Sequence, residues 1–267
     1  RQSSNGSGGG GRQLIINDEQ LLRFSRQIML PEMDVAGQQT LMNSSVLIIG
    51  MGGLGCPASM YLAAAGVGHI MLADDDVVDV TNLQRQIAHS HSKLGEPKVK
   101  SAKNVLLGLN KDIEVTIVQE RLEGVLLDNA VRSVDVVVDC CDNFSTRFAV
   151  NRSCLRHSKP LVFGAAIRME GQVAVFDSRD SASPCYQCLY SEGDQDETCS
   201  TNGIMSPVVG IIGSVQAMEA IKIISNLGKT LTGRLMLLDA FRSQWREMRL
   251  LKDPSCEACG SDKLNQT

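Results

Sequence analysis

The stretch Val46-Leu47-Ile48-Ile49-Gly50-Met51-Gly52-Gly53-Leu54-Gly55 decides the fold. Four β-formers run straight into a glycine-rich turn, and Pro57 to Ala65 then reads as a helix. Strand, glycine loop and helix in that order make a nucleotide-binding β-α unit. Bare backbone admits phosphates, and the helix N-terminus offers unpaired N–H groups and the positive end of its dipole. Gly50, Gly52, Gly53 and Gly55 are therefore candidate nucleotide-binding residues. By itself the loop names neither the nucleotide nor the reaction.

On the N-terminal side, residues 1–13 hold no hydrophobic residue and do not begin with Met. They read as a flexible linker or cloning remnant, which leaves 14–267 as one α/β domain. Asn17 or Asp18 can cap a helix running to about Leu30, and a short helix over Val35–Met42 leads into the glycine-loop strand.

On the C-terminal side, His69–Ala73 reads as the second strand and runs into Asp74-Asp75-Asp76. An acid at that strand end can accept hydrogen bonds from ribose hydroxyls, so Asp74 and Asp76 are candidates for that contact. Gly95-Glu96-Pro97-Lys98 opens a helix to about Leu109. Ile113–Val118 alternates as a strand, Leu122–Val131 is helical, and Val134–Asp139 is a buried parallel strand ending in Cys140-Cys141-Asp142-Asn143. A helix over 145–157 precedes a buried strand over 160–166, and Gly171–Asp177 then alternates as an antiparallel strand. A polar segment spans 178–203. Ser206-Pro207 serves as N-cap and first turn of a helix reaching Asn226, and strands over 234–238 and 243–250 finish the pattern. The expected architecture is a Rossmann-like, doubly wound, mainly parallel sheet extended by antiparallel strands.

At 267 residues and 43% hydrophobic the chain can bury a large core, and a net charge of −4 argues against a nucleic-acid partner. No N-terminal apolar segment resembles a signal peptide. The apolar run from Pro207 to Ile224 is interrupted by Gln216, Glu219 and Lys222, so the expected location is cytoplasmic, with no membrane partner.

Cys185-Tyr186-Gln187-Cys188 and Cys256-Glu257-Ala258-Cys259 are two matched Cys-x-x-Cys pairs, the donor set of a four-thiolate tetrahedral zinc site. Four protein ligands leave no open position, so such a Zn2+ is structural. Cys56, Cys140, Cys141 and Cys154 read as buried small hydrophobes. Cys199, in a polar glycine-ended loop, is either an accessible reactive thiol or an inert one. None of the four histidines shows ligand spacing, and none is assigned a role.

The charged residues separate ATP from NAD. Phosphate-transfer chemistry needs cations on the phosphates and a carboxylate for Mg2+, and Arg85, Lys98 and Asp142 supply that set. No acid/base pair for a nicotinamide stands out. A NAD-dependent oxidoreductase is thus the weaker alternative, and a non-catalytic module that binds a ubiquitin-like tail is a third.

The chain resembles the bacterial ThiF, MoeB and HesA proteins, relatives of the ubiquitin-activating enzymes. The likeness is carried by Arg23-Phe24-Ser25-Arg26-Gln27-Ile28, the Gly50–Gly55 loop, Asn82-Leu83-Gln84-Arg85-Gln86, Pro97-Lys98, Asp139-Cys140-Cys141-Asp142-Asn143 and both cysteine pairs. The resemblance implies ATP-dependent adenylation of the C-terminal Gly-Gly carboxylate of a small ubiquitin-like sulfur carrier, with release of pyrophosphate. It also implies Asp142 on Mg2+, Arg85 and Lys98 on the triphosphate, Asp74 on the ribose and Asn82 arranging phosphates. In the homodimer it implies, Arg26 reaches the second subunit's site. Gly164–Gln172 resembles the molybdopterin branch, with a MoaD-type carrier, while Ala73–Asp76 and Ser243–Arg246 resemble the thiamine branch, with ThiS as carrier. The reading favours the molybdopterin branch. Cysteines stand at the position of Cys199 in both, and in the thiamine branch that residue can form an acyl-persulfide link. Sulfur is expected from a separate donor protein.

Overall fold

The computed structural model describes residues 16–191 and 202–260. Chain order is α1 (Asp18–Arg23), α2 (Ser25–Ile28), α3 (Asp34–Met42), β1 (Ser45–Ile49), α4 (Gly55–Ala65), β2 (His69–Ala73), α5 (Lys98–Leu109), β3 (Glu114–Val118), α6 (Gly124–Arg132), β4 (Val136–Asp139) and α7 (Phe144–Arg156). There follow β5 (Leu161–Ile167), β6 (Glu170–Phe176), α8 (Tyr186–Leu189), α9 (Ser206–Ser225), β7 (Arg234–Asp239) and β8 (Gln244–Arg249).

The strands form one eight-stranded sheet in the order β3-β2-β1-β4-β5-β6-β7-β8. From β3 to β5 every pairing is parallel, and from β5 to β8 every pairing is antiparallel. The mixed α/β architecture read from the sequence is thus the observed one. Its central strands are buried on both faces: Val46, Leu47, Ile48, Val137 and Val138 are fully covered. That is why they read as unbroken apolar runs rather than alternating ones.

β1 and β4 are neighbours although an α-β-α-β-α excursion separates them in sequence, and the strand order reverses between them. In open α/β sheets this switch point leaves a crevice beyond the carboxyl ends of the strands. The glycine turn builds one wall of it. Gly50 has φ +93°, and a Cβ there would sit 2.7 Å from the Cys140 carbonyl oxygen. Any other residue there meets both the left-handed backbone and the β4 tail. Gly55 opens α4, and a Cβ on it would overlap the Gly50 carbonyl oxygen.

α9 is long and apolar enough to cross a membrane by length and composition alone, yet it packs as the core helix of one sheet face. Val208, Val209, Ile212, Ala217 and Ala220 are buried on it. The fully buried Gln216 donates from Nε2 to Asp139 O at 2.7 Å and accepts from Cys140 Sγ at 3.6 Å, which ties α9 to the end of β4.

Two local expectations are corrected. The helix expected over 17–30 breaks at Phe24, whose ring turns into the core over Gly66, so that α1, capped by Asn17, and α2 are separate. Met205, not Ser206, caps α9. Ser206 is the first helical residue, and its hydroxyl donates to Gln84 Oε1 at 2.6 Å.

Gly55→Ala should lower stability by about 1–3 kcal/mol, the usual cost of overpacking a filled site. A urea midpoint unchanged from the parent protein would remove the packing role assigned to Gly55.

Candidate functional site

A cleft of about 330 Å³ opens at the switch point. It is lined by Gly50, Gly52 and Gly53 of the loop, Asp74 and Asp76 beyond β2, Arg85, Lys98 at the start of α5, and Asp142 beyond β4. Residues up to 92 positions apart in sequence (from Gly50 to Asp142) thus face one space, because β1, β2 and β4 are adjacent and all end on the same side.

Several expected site residues stand elsewhere. Gly55 does not line the cleft, since its missing side chain serves the packing of α4 on the Gly50 turn. Asn82 lies in a short turn before Arg85 with its amide 3.4 Å from Thr81 Oγ1, outside the lining. Arg26 is exposed on α2, away from this chain's own cleft. Cys199 falls outside the described residues.

Asp74 does more than the ribose contact expected of it. Its Oδ2 accepts from the Met51 N–H at 2.6 Å and its Oδ1 from the Asp76 N–H at 2.8 Å, so the carboxylate braces the glycine loop. Burial pushes the Asp74 carboxyl up, while Lys98 and the two N–H donors pull it back. Lys98 is buried along its stem and pairs through Nζ with Asp76 Oδ2 at 2.8 Å. Arg85 holds the Thr81 carbonyl at 3.1 Å through Nη1.

Three cleft residues escaped the sequence reading. Arg121 reaches from the β3 exit to Asn143 Oδ1 at 3.3 Å and Thr146 Oγ1 at 3.1 Å. Glu120 stands beside it in the lining. Arg147 lies in α7, with its guanidinium 5.2 Å over the Phe163 ring and 5.9 Å over Phe144, and donates to Cys141 O at 2.8 Å. It thereby holds the carbonyl that immediately precedes Asp142. Its position one turn into the helix after Cys-Cys-Asp-Asn was the available signal. Behind it, burial raises the Asp139 carboxyl, which Arg147 partly offsets, and Asp139 Oδ2 has no hydrogen-bond partner among the described residues. His89, assigned no role from sequence, contacts the glycine loop from below: Nε2 lies 3.0 Å from Met51 O and Nδ1 3.0 Å from Ser101 Oγ.

A second cluster joins the α8 turn to the segment after β8. Cys185 Sγ is 3.9 Å from Cys188 Sγ and 3.7 Å from Cys256 Sγ, and Cys188 Sγ is 3.4 Å from Cys259 Sγ. All four sulfurs lie within 4.8 Å of one another. A tetrahedron with Zn–S bonds of about 2.3 Å has edges of about 3.8 Å, so the donor set and its spacing fit Zn2+. Donation from Cys185 draws the Cys188 thiol down, toward the thiolate that a metal needs.

A glycine loop, a strand-end acid and converging cations at the switch point of a doubly wound sheet define a nucleotide-binding α/β protein. The ThiF family profile matches residues 24–258, and the chain belongs to that family. A molybdopterin-synthase adenylyltransferase of Escherichia coli (strain K12) is 47% identical over 246 residues, covering 92% of this chain and 98% of that protein. The sulfur carrier protein ThiS adenylyltransferase of the same organism is 44% identical over 251 residues, covering 94% and 99%. Among solved structures, E. coli MccB with ATP shares the fold, with a TM-score of 0.77 over 89% of this chain and 73% of that one at 24% identity.

Arg147→Met should cost about 1–3 kcal/mol at neutral pH, because it strands the Cys141 carbonyl and leaves Asp139 without its nearest cation. A buried carboxyl with a raised pKa binds its proton more tightly folded than unfolded. Its contribution is therefore complete below the unfolded value and is lost as pH rises through the folded one. Losing Arg147 raises the folded value further, so the deficit should shrink on acidification. Urea unfolding of both proteins at several pH values measures this, and a pH-independent deficit would refute the coupling.

Proposed function

We propose that this chain is an ATP-dependent adenylyltransferase that activates the C-terminal glycine carboxylate of a ubiquitin-like sulfur carrier protein. The observation that carries the proposal is the convergence of Arg85, Lys98 and Asp142 on the cleft walled by the glycine loop. A dinucleotide oxidoreductase needs only the loop and an acid; the extra cations and the carboxylate suit a triphosphate. A binding module that had lost its chemistry would not need to keep all three.

In the reaction the carrier's terminal carboxylate oxygen attacks the α-phosphorus of ATP. One P–O bond forms to the carboxylate, the bond from the α-phosphorus to the bridging α,β-oxygen breaks, and that oxygen leaves with pyrophosphate. The product is a mixed acyl-adenylate anhydride, poised for a sulfur nucleophile. The N–H groups of the loop and the side chains of Arg85 and Lys98 bind the phosphates and offset charge that grows on the departing pyrophosphate. Lys98 leaves Asp76 for the phosphates or bridges both, which orients its ammonium. Asp74 accepts from the ribose with the lone pairs that Met51 and Asp76 leave open. Asp142 is an exposed oxygen donor of the kind Mg2+ takes, and the ion would supply Lewis-acid screening of the phosphate oxygens. Arg147 keeps the Asp142 turn in position.

Arg26 is assigned to the site of a second subunit in a homodimer. Exposed Leu22, Met29 and Leu30, at 77%, 70% and 55%, flank it and support a covered surface there. Asn82 keeps the role the family implies, arranging the phosphates, and Cys199 is the thiol that in the thiamine branch forms an acyl-persulfide link with the carrier. The carrier is assigned to the MoaD type, on the motif Gly164–Gln172, with a ThiS-type carrier as the alternative, and sulfur comes from a separate donor. Residues 14–267 act as one adenylating domain in the cytoplasm, and the continuous sheet supports that unity.

The test is exchange of labelled pyrophosphate into ATP with MoaD-type and ThiS-type carriers. Exchange with the MoaD type, lost in Asp142→Ala, is expected; preference for ThiS reassigns the branch, and tight NAD binding without exchange overturns the proposal.

The four cysteines hold one structural Zn2+, which pins the Cys185–Cys188 turn to the C-terminal segment. Metal analysis should find about one Zn2+ per chain, and chelation should lower the melting temperature. A metal-free protein melting like the parent would exclude the structural role.

A further inference from the structure

His89 lies on no functional motif, yet its ring bridges the glycine loop and α5 from behind the cleft. It ends the segment that begins at Arg85. Its Nδ1 lies 3.0 Å from Ser101 Oγ, one turn along α5 from Lys98. Its Nε2 lies 3.0 Å from Met51 O at the centre of the glycine loop. The side chain is buried, 7% exposed.

The chemistry of these partners fixes the tautomer. A carbonyl can only accept, so Nε2 carries the hydrogen and donates to Met51 O. In the neutral ring Nδ1 is then bare and accepts from the Ser101 hydroxyl. Met51 O also accepts from Cys56 Sγ at 3.5 Å. Burial pushes the Cys56 thiol up to about 12, so it stays a donor.

The peptide geometry gives this contact its consequence. In a planar trans peptide the C=O of one residue and the N–H of the next point in opposite directions. Met51 C=O is drawn inward to His89, so the Gly52 N–H is turned away from His89. Gly52 lines the cleft, and its N–H has no hydrogen-bond partner among the described residues. The preceding peptide is fixed as well, because the Met51 N–H is held by Asp74 Oδ2 at 2.6 Å. Met51 is thus gripped at both ends, by an acid on the β2 side and an imidazole on the α5 side.

We propose that His89 is a positioning residue for the nucleotide: as the Nε2–H tautomer it holds Met51 C=O inward and so aims the Gly52 N–H at a phosphate of ATP. The inference rests on the adenylation reading for the identity of the ligand. The groups facing the ring are Cys56 from α4, Ser101 and the charge of Lys98 from α5, and the charge of Asp74 from the end of β2. Burial, the largest influence, and Lys98 both disfavour the imidazolium, while Met51 O and Asp74 favour it. The ring is therefore held neutral to lower pH than an exposed histidine.

The test compares His89→Gln, His89→Asn and His89→Leu in the full chain. Glutamine carries its amide nitrogen where Nε2 lies, and asparagine carries it where Nδ1 lies. The readouts are the Kd of the non-hydrolysable analogue α,β-methylene-ATP by calorimetry and the KM values for ATP and carrier in pyrophosphate exchange. H89L and H89N should raise the ATP Kd and KM about tenfold, the scale of one hydrogen bond, with the carrier KM within about twofold. H89Q should stay within about threefold of the parent. Equal Kd values for H89Q and H89N, or an unchanged Kd in H89L, would overturn the assignment. If H89L fails to fold, the Gln and Asn pair decides alone. Absence of exchange in the parent protein with either carrier counts against the adenylation reading, and the Kd comparison still judges His89.

Discussion

Everything in this protein depends on one close approach: the Gly50 turn pressed between the tail of β4 and the first turn of α4. There is no room for a Cβ at Gly50, where the Cys140 carbonyl stands, nor at Gly55, where the Gly50 carbonyl stands. Closeness brings the unpaired N–H groups of the loop to the mouth of the switch point and lets β1 and β4 end side by side. With side chains at these two positions the same strands could pair, but the loop backbone would be held off the crevice at the switch point.

Around that turn the molecule places hydrogen bonds and charges in two shells. Facing the cleft are Arg85, Lys98, Arg121 and Asp142, with Asp74 and Arg147 also in its wall. Asp74, together with His89 from behind, grips Met51, Gln216 ties α9 to the end of β4, and Arg147 holds Cys141 O while packed over Phe163 and Phe144. Such buried polar groups hold geometry because leaving any of them unpaired in the interior is costly. The cysteine cluster repeats the idea at the α8 turn. Tyr186, between Cys185 and Cys188, is fully buried, with its ring 5.1 Å from Phe163 and 5.2 Å from Phe148. The turn that the metal would hold is thereby packed against the aromatic group beneath Arg147.

Much of this was legible without coordinates. Strands buried on both faces are continuous apolar runs, and helices that cover them carry their own caps and breakers, so nearly every element falls within a few residues of its expected place. Glycine spacing and paired Cys-x-x-Cys motifs are local signatures of backbone approach and of tetrahedral ligation. The failures also have local causes. Phe24 breaks a helix because its ring is needed over Gly66, a contact between residues 42 positions apart. Ser206 looks like a cap but spends its hydroxyl on Gln84.

The sequence by itself determined the order of elements, the glycine loop, the two matched cysteine pairs and the cations and acid that accompany the loop, because each is written in residue type and short-range spacing. Only the tertiary structure decided which of those residues share a cleft, that Gly55 serves packing rather than the ligand, and that Asp74 braces the loop. It alone brought in His89, Arg121 and Arg147. His89 and Arg121 act through contacts that the tertiary fold, not sequence distance, brings within 3 Å or so, and no pattern along the chain records which group a buried side chain will meet; Arg147 reaches a carbonyl six residues back, and its place after Cys-Cys-Asp-Asn was the one local signal.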